Sequence, residues 1–449
     1  MKKGMFFALA ASSLLFSACS SDDAVVSTVG QNEAVQQIVL QVASSGDGLS
    51  TRAGRPLYSS EALQTIQHVR VIIYKDDATK TIVKDKQLNW KDSKPYDNHG
   101  REFTLTYKGD ERLSEGNYKV MAVGYSDNSD YTYALDVTSA DALSGTYSDI
   151  TATLKAGKKD AEEVFAGDAA LKIGTDKKIT NLTNGEENGV AVTLHRQVAG
   201  SFGYFCNIPA KVNGKAAATL RLVVRDKNDV LTFNNFNSSF TTTGSTIKYY
   251  VNGSTSTGAP LATTDKFSNG DNGYVLYTID LNTWFPGGDN NHDGLLNADD
   301  NNWKRPDDVK TQVVKGSVFG SNFVIPFAYT EGKSTMELQL LDADGKIIKH
   351  WTVSIPESDV NKIAANGVTD ADASIFNVVR NHMYNLGVKT STGTTTTPDP
   401  SNPTPDPDPD PKPTPDPGKD EPEDLTKSQN LILKVNDNWE AIHKMELGD

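Results

Sequence analysis

The chain is poor in cysteine: only Cys19 and Cys206 occur along 449 residues. An intrachain disulfide framework is thereby excluded, and stability must come from packed cores. Basic residues are not in excess either. The formal net charge is −14 at pH 7, with Asp and Glu spread along the chain. That balance argues against nucleic acid or an anionic lipid surface as partner. Long apolar runs are missing; the stretch at 5–16 is too short to span a membrane. The seven histidines are scattered. There is no H-E-x-x-H pair, no Cys/His cluster, no Gly-rich phosphate loop and no nucleophile elbow. His382, in "RNHMY", reads as a turn or core histidine rather than a base. Nothing supplies an enzyme's nucleophile or base. Helical periodicity is slight, with short candidates at 59–69 and 357–367.

What is present is alternation. Residues 34–43, "AVQQIVLQVA", form a first strand candidate, followed by the Gly/Ser-rich break "SSGDGLSTRAGRP". Short runs rich in Val, Tyr and Thr come next: "VRVIIY" (69–74), "EFTLTYKG" (102–109), "NYKVMAVGY" (117–125) and "DITATLKAG" (149–157). A second cluster follows "GVAVTLHRQVAGSFGYF" (189–205), from "ATLRLVVRD" (218–226) through "IIKHWTVSIP" (347–356) to "MYNLGVKT" (383–390). Turn residues punctuate them all, which predicts an all-β chain of sandwiches. Residues 53–390 suffice for two domains, divided near Gly200.

The two ends are unlike the middle. Lys2 and Lys3, the apolar run and the small residues Ser17 and Ala18 make a secretory signal over 1–18. Its ending, "FSAC", resembles a bacterial lipobox, which would make Cys19 the lipidated first residue after cleavage. At the other end Pro and Asp alternate over 398–417, a composition that favours extended polyproline II. From 398 to 422 such a segment would reach roughly 75 Å. Beyond it the period-2 pattern returns in Leu431, Leu433, Val435, Trp439, Met445 and Leu447, a single strand without a sheet of its own.

Taken in order, these features resemble the fimbrillins, subunits of the type V pili of Bacteroidales. The likeness is greatest to the stalk subunit of the minor-fimbrium type. The residues that carry it are Cys19, "LSTRAG" (49–54), "GNYKVMAVGY", "VFAGDA" (164–169), "VTLHRQVAG", "VVRNHMYNLGVK" and the Pro-rich tail. The resemblance implies two tandem transthyretin-like β-sandwich domains, at 53–200 and 201–390, then a Pro/Asp-rich linker at 391–427 and a donor strand at 428–449. It implies export as a lipoprotein to the outer membrane. An arginine-specific protease would then cut between Arg52 and Ala53, removing the lipidated segment 19–52; Arg55 is a poorer site because Pro56 follows it. The vacated groove would accept the terminal strand of a neighbouring subunit, giving a homopolymer completed by anchor and tip or accessory subunits. An open sheet edge invites such addition. A tip or accessory role for this chain is a variant of the same reading. An alternative of another class is a surface lipoprotein that binds glycans on its sandwiches, which leaves the terminal strand unexplained.

One motif stands outside this scheme. "DNNHDGLLNADD" (289–300) fits the D-x-[DN]-x-[DN]-G spacing of a calcium loop with an acidic last position. Asp289, Asn291, Asp293, Leu295, Asn297 and Asp300 would supply oxygens to one structural Ca2+. Without a paired hand its affinity should fall near the extracellular range of roughly 10⁻⁴–10⁻³ M. The competing reading is a solvated Asn/Asp-rich turn.

Overall fold

"GNYKVMAVGY" becomes a strand with both faces covered, which explains why its apolar residues run on rather than alternate. In the computed structural model Tyr118, Val120 and Ala122 face one core, while Met121, Val123 and Tyr125 face another. The structure describes residues 35–42, 66–96, 100–183, 188–354 with short gaps between 235 and 335, 377–388 without 381–382, and 420–436 without 428, 429 and 433. All belong to one unit, Val35–Asp449. Described elements are almost entirely strands, as the sequence predicts.

The first half contributes β1 (Gln36–Val42), β2 (His68–Lys75), β3 (Ile82–Asn89), β4 (Lys94–Tyr96), β5 (Gly100–Tyr107), β6 (Gly116–Tyr125), β7 (Tyr131–Tyr133), β8 (Thr151–Leu154), β9 (Phe165–Ile173) and β10 (Gly189–Arg196). Eight of these form one sheet in the order β3-β2-β6-β9-β10-β1-β5-β4. β10 is the fold line. It pairs with β9 only through His195 and Arg196, but runs parallel to β1 along its length. Gly167 of β9 permits the crossing, because a Cβ there would lie 1.9 Å from the Thr193 carbonyl oxygen. The halves then close on one core. Val69, Val71 and Ile73 of β2 meet Ile38 and Leu40 of β1, Leu105 of β5, and Val192 and Leu194 of β10.

The second half contributes β11 (Ala199–Cys206), β12 (Thr219–Val224), β13 (Val230–Thr232), β14 (Asn272–Asp280), β15 (Ser317–Val324), β16 (Met336–Leu341), β17 (Ile347–Ser354) and β18 (Met383–Leu386). Three short strands from the tail join them: β19 (Glu423–Asp424), β20 (Asn430–Ile432) and β21 (Lys434–Asn436). One sheet runs β15-β11-β18-β21, with β19 also on β11; the other runs β14-β12-β16-β17-β20. Tyr204 and Phe319 from the first share a core with Leu220, Leu222, Leu338 and Leu340 from the second. A single-turn helix, α1 (Leu281–Trp284), follows β14, and the Asp280 carboxylate caps it by accepting from Asn282 N–H at 2.9 Å.

The chain passes between the sheets through Gln197 and Val198, at a knot of buried polar groups. Arg196 donates from Nε to Glu163 at 3.0 Å. Arg380, fully buried, donates to Gln197 Oε1 at 3.1 Å and to the Asn234 carbonyl at 2.7 Å. The quoted motifs "VTLHRQVAG" and "VVRNHMYNLGVK" thus meet in space, and 200–203 pair with 383–386. Burial, with Arg380 nearby, pushes the His195 imidazole down to about 4, so it is neutral near pH 7.

The halves are less separate than two tandem domains would be. β8 pairs with β13 of the second half, and β7 with β8, in a four-stranded antiparallel sheet completed by Gly253–Ser254. One core cluster runs from Ile72 and Tyr147 through Leu154 to Phe233 and Leu340. Across the division near 200 one core, that of Ile38, Val69 and Val192, stays within the first half, while the other is shared by both halves.

Candidate functional site

β1 lies between β5, antiparallel, and β10, parallel. Ile38, Val39 and Leu40 are at most 2% exposed. Ile38 stands opposite Leu105 and Leu40 opposite Phe103, both pairs on the core side. On the other face Gln41 stands opposite Glu102, and its amide donates to that carboxylate at 3.3 Å. The first position is the least expected. Gln36 is buried, and its amide donates to the carbonyls of Leu113 at 3.0 Å and Lys177 at 2.9 Å. Its Oε1 accepts from Leu113 N–H at 2.8 Å. One side chain therefore satisfies three backbone groups in two loops that have no strand partner there. A Gln doublet inside an apolar strand is its only sequence signal, and spacing alone does not show which Gln is buried.

Covalent connection of β1 to the sandwich runs solely through residues 43–65. Arg52 and Ala53 belong to that stretch and, with Cys19, lie outside the described residues. A cut there would leave β1 held by its ladders and side chains alone.

The tail requires a correction. A linker over 391–427 would hold its strand away from the body. Instead, Val388 and Glu421 pair with each other, N–H to carbonyl, at 2.8 and 2.9 Å. Gly387 allows the closure: its φ is +79°, and a Cβ would meet the Tyr204 carbonyl oxygen at 2.5 Å. The described residues on either side of the Pro/Asp tract thus meet at one place in the second sandwich. β19 continues where β18 stops, pairing with Phe205 and Cys206 of β11, and Leu425 is buried beside it. Residues 420–427 are therefore part of the second sandwich, and no spacing pattern in the sequence singled them out.

The expected donor strand is likewise engaged with its own chain. β20 lies parallel to β17, with Leu431 opposite Val353 and fully buried in the core. β21 lies antiparallel to β18, with Val435 opposite Tyr384. The segment bridges the edges of both sheets. Leu433, Trp439, Met445 and Leu447 fall outside the described residues, as does His382.

The 289–300 loop folds on its own polar groups. Asp300, fully buried, accepts from Asn290 N–H at 2.7 Å and Asn291 N–H at 3.3 Å on one oxygen. Its other oxygen accepts from Asn297 N–H at 3.0 Å. Asp293 accepts from Leu295 N–H at 2.8 Å and from the Asn297 amide at 2.8 Å, and these bonds hold its carboxyl below the usual range. Gly294 N–H donates to Asp289 Oδ2 at 2.9 Å. Asp289 Oδ1 is buried and has no hydrogen-bond partner. The donors are all oxygens, as calcium requires, but Asp300 commits both of its own to backbone N–H groups. Among the described residues no three acidic, His or Cys side chains converge as a metal centre.

No protein-family model matches the chain, and no curated protein matches it. Among solved structures it is similar to a fimbrial assembly protein from Parabacteroides distasonis, at 15% identity and a TM-score of 0.34, covering 80% of this chain and 93% of that one. It is also similar to the fimbrial anchor protein Mfa2 from Porphyromonas gingivalis, at 11% identity and a TM-score of 0.33, covering 79% of this chain and 90% of that one. A functional reading therefore rests on the slot of β1 and on the tail.

Proposed function

We propose that the chain is a structural subunit of a cell-surface fimbrium. It is lipidated at Cys19 for export to the outer membrane and cut by an arginine-specific protease between Arg52 and Ala53. It then polymerises by donating its C-terminal strand to the slot that β1 vacates in a neighbour. The observation that carries this reading is β1 itself: central in its sheet and buried, yet tied to the sandwich only through the stretch that contains Arg52. A stalk role is favoured because both a removable strand and a strand to donate are present; anchor and tip subunits would end the polymer. The cis pairing of β20 and β21 supplies a resting place for the donor before assembly. Mass spectrometry of filaments sheared from cells is the test. Chains starting at Ala53, without residues 1–52, are expected. Filaments built of chains that still carry residues 36–42 would sink the reading.

For the 289–300 loop the proposal is one weak structural calcium ion, supported by the oxygen-only donors and the unpartnered Asp289 Oδ1. Isothermal titration of the full chain should show a site in the range of roughly 10⁻⁴–10⁻³ M. It should vanish in the double variant Asp289→Ala, Asp293→Ala. An unchanged titration there would leave the loop a bare turn.

A further inference from the structure

The first strand and the tail share a seven-residue pattern, identical at three positions. β1 reads "QQIVLQV" over 36–42, and residues 429–435 read "QNLILKV". Aligned without a gap, Gln429 falls on Gln36, Leu433 on Leu40 and Val435 on Val42. Leu431 replaces Ile38, Ile432 replaces Val39, Asn430 replaces Gln37 and Lys434 replaces Gln41. Alternation alone would give similar apolar positions in any half-buried strand. It does not account for glutamine at the first place, where β1 uses a buried Gln36 to satisfy Leu113 and Lys177.

We infer that residues 429–435 of a second copy are the occupant of the β1 slot, in the register that puts Gln429 at the place of Gln36 and in the same direction as β1. This rests on the strand-donation reading and goes beyond it by fixing the seven residues that enter, their polarity and their register. The chemistry of the slot selects that register. Leu431 and Leu433 enter the core positions of Ile38 and Leu40. Gln429 restores the three bonds to the Leu113 and Lys177 backbone. Lys434 comes to stand opposite Glu102, so an ion pair replaces the amide-to-carboxylate bond of Gln41. A slip of one residue in one direction would bring Lys434 to the fully buried place of Leu40, and in the other Asn430 to the buried place of Ile38. A slip of two in one direction would put Leu431 at the Gln36 position, leaving the Leu113 N–H without an acceptor. A slip of two in the other would put Gln429 in the apolar site of Ile38. Only the ungapped alignment satisfies the whole slot.

The same residues pair with β17 and β18 of their own chain. Donation and self-pairing are therefore mutually exclusive, and a copy that donates uncovers those two edges.

Disulfide trapping between two populations of full-length chain tests the register. Both carry Cys206→Ser, are cut with an arginine-specific protease, and are then washed in mild denaturant, which removes β1 and Cys19 with residues 1–52. One population carries Glu102→Cys, at a part-exposed position, and the other Lys434→Cys. After mixing and mild oxidation, heterodimer on non-reducing gels is expected at about ten times the yield of a control that pairs Thr104→Cys with Lys434→Cys, because Cα atoms two residues out of register are too far apart to bridge. More heterodimer from the Thr104 pair would overturn the register and leave donation standing. Oligomers that form with neither pair trapped would mean another segment fills the slot. Absence of any oligomer after β1 is released would overturn donation itself, and this inference with it.

Discussion

Cutting the chain after Arg52 and then releasing β1 should lower the melting temperature of the first sandwich by about 10–20 °C. Ile38, Val39 and Leu40 are each nearly or fully buried. At ~1.5–3 kcal/mol per side chain their burial amounts to roughly 5–9 kcal/mol, an upper figure because an emptied slot partly collapses. Loss of Gln36 strands the Leu113 N–H, at a further cost of about 1–3 kcal/mol. These sums approach the entire stability of an ordinary domain, about 5–15 kcal/mol. A cut subunit with an empty slot is therefore close to unfolding, which is the driving force that donation needs. The measurement is calorimetry on intact chain, on cut chain with β1 retained, and on cut chain after β1 is washed out in mild denaturant. Intact and retained samples should melt alike. A synthetic peptide of residues 34–43 should restore the lost stability, and Arg52→Ala should block both cut and loss. An unchanged melt after proven release of β1 would show that the slot is not the energetic centre of the molecule.

How much of this was legible beforehand depends on the range of the interaction. Local patterns carried the strands: "VRVIIY" lies within β2 and "NYKVMAVGY" within β6, because apolar spacing and turn punctuation are properties of neighbouring residues. The antiparallel sheet that joins β7 and β8 to β13 is not legible. Thr151–Leu154 and Val230–Thr232 are short, partly polar runs far apart in sequence, and nothing in either names its partner. α1 leaves no periodic signal because it is a single turn, although Asp280 at its start is a recognisable cap. The tail shows the limit most clearly. Its alternation was visible, but alternation marks a face to bury without saying against what. Closure of the Pro/Asp tract by Val388 and Glu421 is a pairing across a segment whose composition, taken alone, reads as a spacer. The calcium spacing was equally readable. What spacing cannot convey is that Asp300 turns both oxygens to its own backbone.

The largest effect on the second sandwich should come from Leu431. Its side chain is fully buried between the sheets, so Leu431→Ala removes apolar contacts and leaves a cavity, at a cost of about 2–5 kcal/mol. At about 2–4 °C per kcal/mol for a domain of this size, the melting temperature should fall by roughly 5–20 °C. Leu431→Asp should be worse, since an unpaired carboxylate would enter an apolar core. Two truncations separate this role from that of the residues beyond it. Ending the chain at Asn436 keeps every described pairing of β20 and β21, and the melt of the uncut protein should match the full chain. Ending it at Lys427 strips the edges of β17 and β18 and empties the Leu431 site, so it should reproduce or exceed the Leu431→Ala loss. Calorimetry of the full chain and its four variants, uncut so that β1 stays in place, makes the comparison without any contribution from assembly. If removal of residues 428–449 left the melt unchanged, the tail would be bound to its own chain too weakly to matter. Donation would then begin from a free strand instead of one that must first be withdrawn from a core.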